Sequence, residues 1–242
     1  MLEAEVAFVE ELGTLMDTVE EGVKRVIGNV LQGTGKRSER ARSDLSAIAK
    51  SLEEDKEELD GGIAADRMEA FTSLLAKPFA RASYTEAVET LAKRHANVPF
   101  EFEPIWGASL QSEHEKYLAA EVYAGPVFVT DYPKQLKPFY MRQNQTEPGR
   151  ETVACFDLLA PGIGELAGGS LREERLAHLV RAIDEAGMSR PAYEWYLDLR
   201  RYGTVKHGGW GMGFERFICW VTGVPNVRDV VAFPRWKGHC RY

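Results

Sequence analysis

A chain of 242 residues, 44% hydrophobic and 10% aromatic, is long enough to bury one sizeable core or two small ones. Its formal charge of −7 argues against broad, nonspecific nucleic-acid binding, which needs a basic face, but leaves room for a local basic groove. Cys155, Cys219 and Cys240 stand far apart with no Cys-x-x-Cys pair, which implies a reducing compartment and no structural zinc, and no apolar run of about 18 residues exists to span a membrane.

The first residues, Met1-Leu2-Glu3-Ala4-Glu5-Val6-Ala7-Phe8, alternate like the second half of a buried strand. They are neither basic nor serine-rich, so they do not read as a leader, and the chain reads as beginning in mid-domain. Leu12, Leu15, Met16, Val19, Val23, Val26, Ile27 and Val30 then recur at three- and four-residue steps, which predicts one amphipathic helix ending near Gly33 and Gly35. Residues 34–62 carry a basic cluster (Lys36, Arg37, Arg40, Arg42) followed by an acidic one (Glu53 to Asp60). They read as a solvated helical excursion closed by Gly61 and Gly62. From Pro78 onward the pattern changes to short strands, turns and helices. Helices are expected over 84–91 and 111–120, strands over 127–132, 139–142 and 152–159, and helices again over 174–185 and 191–201. Strands joined by short turns, such as Pro161-Gly162-Ile163-Gly164, imply an antiparallel sheet with helices packed on it.

The chemistry concentrates in two stretches. In Gly208-Gly209-Trp210-Gly211-Met212-Gly213-Phe214-Glu215-Arg216-Phe217, glycines at 209, 211 and 213 bare one face of an extended backbone, so a flat ligand can lie against it. Arg216 can stack its planar guanidinium on that ligand's other face, which suits a nucleotide base. The spacing lacks the final glycine of a dinucleotide fingerprint, and no Gly-Lys-Ser/Thr sequence exists for a P-loop. Upstream, Asp157 and Glu165 flank a turn. If their strands form a hairpin, both carboxylates can approach one position and suit Mg²⁺, although solvated strand-end acids have the same spacing. Arg172 can hold a carboxylate or carboxamide oxygen, or equally pair with Glu173 or Glu174.

Together these elements resemble the asparaginyl-tRNA synthetases of class II. The run Phe156-Asp157-Leu158-Leu159-Ala160-Pro161-Gly162-Ile163-Gly164-Glu165-Leu166-Ala167-Gly168-Gly169-Ser170-Leu171-Arg172-Glu173-Glu174-Arg175 resembles that family's signature, and Gly208 to Phe217 resembles class II motif 3. Further similar segments are Gly125 to Pro133, Leu110 to Glu115 and Asn226 to Val230. The resemblance covers about 1–33 and 78–242 and is weakest over 34–62.

The resemblance implies an α+β fold: an N-terminally truncated class II sheet with flanking helices. Residues 1–33 would follow motif 2, 34–77 would be a charged helical insertion, and 78–242 the remaining sheet with motif 3. Arg216 would pack against ATP, with Gly211 and Gly213 letting the adenine approach. Asp157 and Glu165 would hold Mg²⁺ and the ATP phosphates, and Arg172 would contact the side-chain oxygen of the amino acid. The implied reaction is ATP-dependent activation of asparagine and its transfer to tRNA(Asn) by a homodimer, in the cytoplasm or mitochondrion and not in a membrane. Motif 1, motif 2 and the anticodon-binding barrel are expected to be absent, which predicts an inactive, poorly stable C-terminal fragment with an exposed apolar sheet edge. Two other functions stay open: a paralogue that binds a nucleotide or a protein partner without aminoacylating, and an aspartate-specific or amidating synthetase-like enzyme.

Overall fold

A computed structural model describes residues 1–54, 64–145 and 149–241. Six strands, β1 (Leu2–Ala7), β2 (Ala80–Ser83), β3 (Val127–Thr130), β4 (Cys155–Ala160), β5 (Gly164–Leu171) and β6 (His207–Met212), form one sheet in the order β1-β6-β5-β4-β3-β2. All neighbours are antiparallel except β2 and β3, which are joined through a helical crossover and run parallel.

Helix α1 (Leu12–Gln32) lays its predicted stripe on one face of the sheet. Leu15, Met16, Val19, Val23 and Ile27 are buried against Phe128, Phe156 and Met212. Val26, expected on the stripe, is 48% exposed. The other face is covered over β3 and β4 by α4 (Tyr84–Asn97) and α5 (Ser112–Tyr117), whose buried Tyr84, Leu91 and the following Leu118 meet Val127, Val129 and Leu159. A capping box starts α4: Ser83 Oγ accepts from the Glu86 backbone N–H, and the Glu86 carboxylate accepts from that of Ser83.

Helices α2 (Lys36–Glu54) and α3 (Ala64–Ala76) pack on α1. Arg42 of the basic cluster is used internally. Its Nη1 donates to the carbonyls of Val30 and Gly33, each at 2.8 Å, and so caps the C-terminal end of α1. The acidic run at 55–60 and the closing Gly61 and Gly62 lie outside the described residues. Helices α6 (Leu176–Glu185) and α7 (Arg190–Arg201) pair with each other, and α8 (Phe214–Thr222) follows β6 and ends at Gly223, which takes a positive φ of 85°. Among the described residues, no helix is long and apolar enough to cross a membrane.

Three expectations from the sequence are corrected. The N-terminal strand exists but is an edge strand with none of its six residues buried, paired among the described residues with β6 alone. Residues 139–142 do not form a strand. Met141 makes a single bridge to Arg172, and Gln143, just beyond the segment, makes one to Val153, while Phe139 turns away to pack on Tyr193 and Tyr196 of α7. Strand β3 stops two residues early because Asp131 takes a left-handed φ of 57°, held by Thr130 Oγ1 and Asn144 Nδ2 on its carboxylate.

Candidate active site

The open half of the second sheet face is floored by glycine. Across four strands, Glu3, Gly211, Gly168 and Asp157 stand in one register row, and Glu5, Gly209 and Ser170 form the next. Directly paired residues share a face, so the glycines leave a trough with acidic side chains on both banks. A Cβ on Gly209 would overlap the Glu5 carboxylate.

The carboxylates of Asp157 and Glu165 converge through a β-bulge. Leu158 pairs with Ala167 and Leu159 with Glu165, so Leu166 is an extra, unpaired residue on β5. In a regular, unbulged strand Glu165 and Gly168, three residues apart, would point to opposite faces. With it, a Cβ on Gly168 would stand 3.2 Å from Asp157 Oδ1 and 3.3 Å from Glu165 Oε1. The turn that precedes the bulge needs Gly162 and Gly164, both at φ 77°.

Two residues without a predicted role complete this end. Glu115 of α5 accepts the Glu165 backbone N–H at 3.1 Å and lies against Gly164. Lys137 spans both oxygens of Asp157 at 2.8 and 2.6 Å. The electrostatics follow from this crowding. Burial first, and then the Asp157 charge, push the Glu165 carboxyl above the ordinary range. Burial pushes Glu115 up as well, reinforced by Glu165 and Asp157. Tyr132 is held far above the usual phenol range by burial and by the Asp157 charge, so it stays a donor.

At the other end, Arg172 Nη2 donates to Glu5 Oε1 at 2.6 Å and its Nη1 to Ser170 Oγ at 2.7 Å, while its guanidinium lies 5.1 Å from the Tyr140 ring centre. The alternatives of pairing with Glu173 or Glu174 are not realised. Glu173 pairs with Arg175, and Glu174 lies 3.5 Å from Arg142.

Arg216, in the first turn of α8, donates from Nη1 to the Glu165 carbonyl at 2.7 Å. The bond ties the first turn of α8 to the bulge and uses one of the five guanidinium donors. Gly213 abuts the stem of Arg216, and Gly211 lies under Met1 and Glu3. Asp157, Glu165, Gly211, Gly213 and Arg216 are therefore gathered at one trough, with Arg172 along the same floor. Among the described residues, no group of three or more His, Cys, Asp or Glu side chains is arranged to hold a metal. A cavity of about 1080 Å³ lies behind the site, lined by Tyr117, Ile163 and Trp220, not over the carboxylates.

Glu5, Glu115 and Lys137 had no assigned part. Glu115 lies in the similar segment Leu110 to Glu115. Glu5 and Lys137 are marked only by the strand register and the loop path.

The sequence matches the family described as class II tRNA synthetases (D, K and N) over residues 1–237. It is 45% identical to an asparagine–tRNA ligase of Clostridium kluyveri, over all of this chain and 47% of that protein. It is 45% identical to an asparaginyl-tRNA synthetase of Mus musculus, over 99% of this chain and 46% of that one. The asparaginyl-tRNA synthetase of Pyrococcus horikoshii, solved with asparaginyl-adenylate, superposes with a TM-score of 0.76 at 33% identity, over 98% of this chain and 47% of that structure. The chain thus spans about half the length of the curated relatives it matches. The family match takes in essentially the whole chain, including 34–62, and overturns the expectation of a mere C-terminal fragment running from just after motif 2 through motif 3 and lacking motifs 1 and 2. With its antiparallel sheet, flanking helices and this match from end to end, the chain belongs to the class II tRNA synthetases of the D, K and N group.

Proposed function

We propose that this chain carries the amino-acid-activating site of an asparagine–tRNA ligase. The observation that carries the reading is the Glu5–Arg172 pair seated over Gly209. A carboxamide presents one carbonyl acceptor and two N–H donors, so arginine can serve the oxygen and glutamate the nitrogen. A carboxylate ligand would meet Glu5 charge against charge, which disfavours aspartate. Identity to asparagine–tRNA ligases supports the same choice.

In this reading the asparagine α-carboxylate attacks the α-phosphorus of ATP. A new P–O bond forms, the bond to the pyrophosphate oxygen breaks, and pyrophosphate leaves. The terminal ribose hydroxyl of tRNA then attacks the acyl carbon, an ester bond forms as the bond to the phosphate oxygen breaks, AMP leaves and the hydroxyl proton is released. Such chemistry depends on positioning and charge neutralisation more than on a protein acid or base. Gly211 and Gly213 give the adenine access to the floor, and Arg216 stacks on it. Asp157 and Glu165 would hold Mg²⁺, which when bound neutralises phosphate charge. Their donor set fits: Mg²⁺ prefers hard oxygen ligands and usually takes one or two carboxylates, completing its shell with phosphate and water. Two converging carboxylates beside a bare floor provide that, and burial first, then the Asp157 charge, raise the Glu165 carboxyl. Asparagine, tRNA(Asn) and a second subunit are the partners this function requires.

Calorimetry with non-hydrolysable asparaginyl- and aspartyl-adenylate analogues tests the reading. The asparaginyl analogue should bind at least about tenfold tighter, the scale expected of one charge repulsion. Equal or tighter binding of the aspartyl analogue would overturn the specificity.

A further inference from the structure

The proposed reaction uses Asp157 and Glu165 and leaves Lys137 without a part. The Lys137 ammonium contacts both oxygens of Asp157 and lies 4.0 Å from the centre of the Tyr132 ring. The two side chains of the ion pair are each only 15% exposed. Lys137 follows the short 3-10 turn Lys134–Leu136 and closes it by donating its backbone N–H to the Lys134 carbonyl at 3.2 Å. One partner therefore stands on a central strand and the other on a closed turn, with an aromatic wall behind the ammonium. A lysine held this way costs side-chain entropy and desolvation, and a surface strand-end acid would not need it.

Asp157 is also the carboxylate that a divalent cation would need. We propose that Lys137 is a resident counter-ion, a positioning residue that holds Asp157 toward the glycine floor and keeps the carboxylates from taking a divalent cation until a triphosphate arrives with it. The inference rests on the reading of Asp157 and Glu165 as the Mg²⁺-holding pair. Before ligand enters, the ammonium offsets Asp157, so an incoming cation must compete with a charge already in place. A metal–triphosphate complex changes the balance. Asp157 would then turn to the metal, and Lys137 would find new anionic oxygens on the phosphates. Metal and nucleotide then bind with positive coupling, and by linkage each tightens the other by the same factor.

The test uses Mn²⁺ alone as the probe, titrated into the full chain and followed by loss of the free-ion paramagnetic resonance signal, then repeated with ATP. Removing a unit charge in direct contact with the carboxylate should tighten Mn²⁺ binding by about tenfold or more, so Lys137→Met should gain that factor without nucleotide. Lys137→Arg should keep the wild-type value. The further tightening that ATP brings should be smaller in Lys137→Met than in wild type. Lys137→Gln measures the same quantity if the methionine variant does not fold. Mn²⁺ binding that is unchanged or weaker in folded Lys137→Met or Lys137→Gln overturns the proposal. Adding Asp157→Asn to Lys137→Met separates the two ideas. If the gain disappears, both stand, and if Asp157→Asn changes nothing, the assignment of Asp157 as a metal holder fails.

Discussion

The two ends of the glycine-floored trough solve opposite electrostatic problems. At the arginine end, Glu5 and Arg172 neutralise each other and present one acceptor and one donor side by side. At the carboxylate end, Glu115, Asp157 and Glu165 crowd together, and two of the three have carboxyls pushed upward. The first end is complete as a recognition pair, and the second is complete only with further positive charge. Recognition of a neutral amide and of a polyanion with its cation need these two different states of balance.

The largest effect should come from breaking the balanced end. Arg172→Ala removes the donor for a carboxamide oxygen and leaves Glu5 without its partner. Asparaginyl-adenylate analogue binding should fall on the order of 100-fold, and Arg172→Lys should rescue little because a point charge cannot reproduce the fork. Calorimetry decides it, and a lysine variant with wild-type affinity would refute the bidentate role. Glu5→Gln is gentler. It keeps an acceptor but removes the repulsion of a carboxylate, so the preference for asparaginyl over aspartyl analogue should shrink by about tenfold. A preference that stays unchanged would mean Glu5 does not face the ligand.

Neighbouring glycines on β5 offer a contrast in stability. On the core face, a Cβ at Gly169 would lie 2.6 Å from the Phe156 ring and 2.8 Å from the Gly209 carbonyl, neither of which can retreat. Gly169→Ala should cost about 1–3 kcal/mol in urea unfolding. At Gly168 the neighbours are the ends of two carboxylates at 3.2 and 3.3 Å, which need give only a few tenths of an ångström. Gly168→Ala should cost about 1 kcal/mol or less in folding while parting Asp157 from Glu165. Equal costs at the two positions would contradict the assignment of faces.

Much of this site was legible because its parts are local. The alternate glycines, the hairpin that carries Asp157 and Glu165, and the α1 stripe all lie within short windows whose periodicity reports which face a residue takes. The bulge at Leu166 was not legible, since one extra residue in a ladder leaves no compositional mark. Glu5 was hidden for a different reason. It reaches Arg172 across 167 positions, through β6 as the intervening strand, and register of that kind is set by tertiary pairing. Lys137 reaches Asp157 from a loop, where no period applies. The false strand at 139–142 has an adjacent aromatic pair, Phe139 and Tyr140, that packs on the α6–α7 pair and not in a sheet.

The smallest effect opposes the two ends in their response to pH. Glu173, next to Arg172, is 1% exposed and accepts from Arg175 Nε at 2.7 Å and Nη2 at 2.8 Å, while its carbonyl accepts from Arg200. Burial pushes its carboxyl up, but the Arg175 hydrogen bonds and charge outweigh that and hold it below the ordinary 4.5. In acid the unfolded chain then binds the proton more readily than the native one. The stability Glu173 contributes is therefore present above 4.5 and lost as pH falls through the lower native value. Glu173→Gln, which keeps an acceptor but not the charge, should cost about 1 kcal/mol at neutral pH, with the gap closing toward acid. Glu165 has the reverse sign. Its raised carboxyl binds protons more readily in the native state, so its contribution is greatest below 4.5 and is lost as pH rises through the native value. In chelator-containing buffer, Glu165→Gln should therefore gain on wild type as pH rises from 4.5. Urea unfolding of both variants across that range measures the two slopes. Slopes of the same sign would mean that burial and the Asp157 charge do not raise the Glu165 carboxyl in the native state.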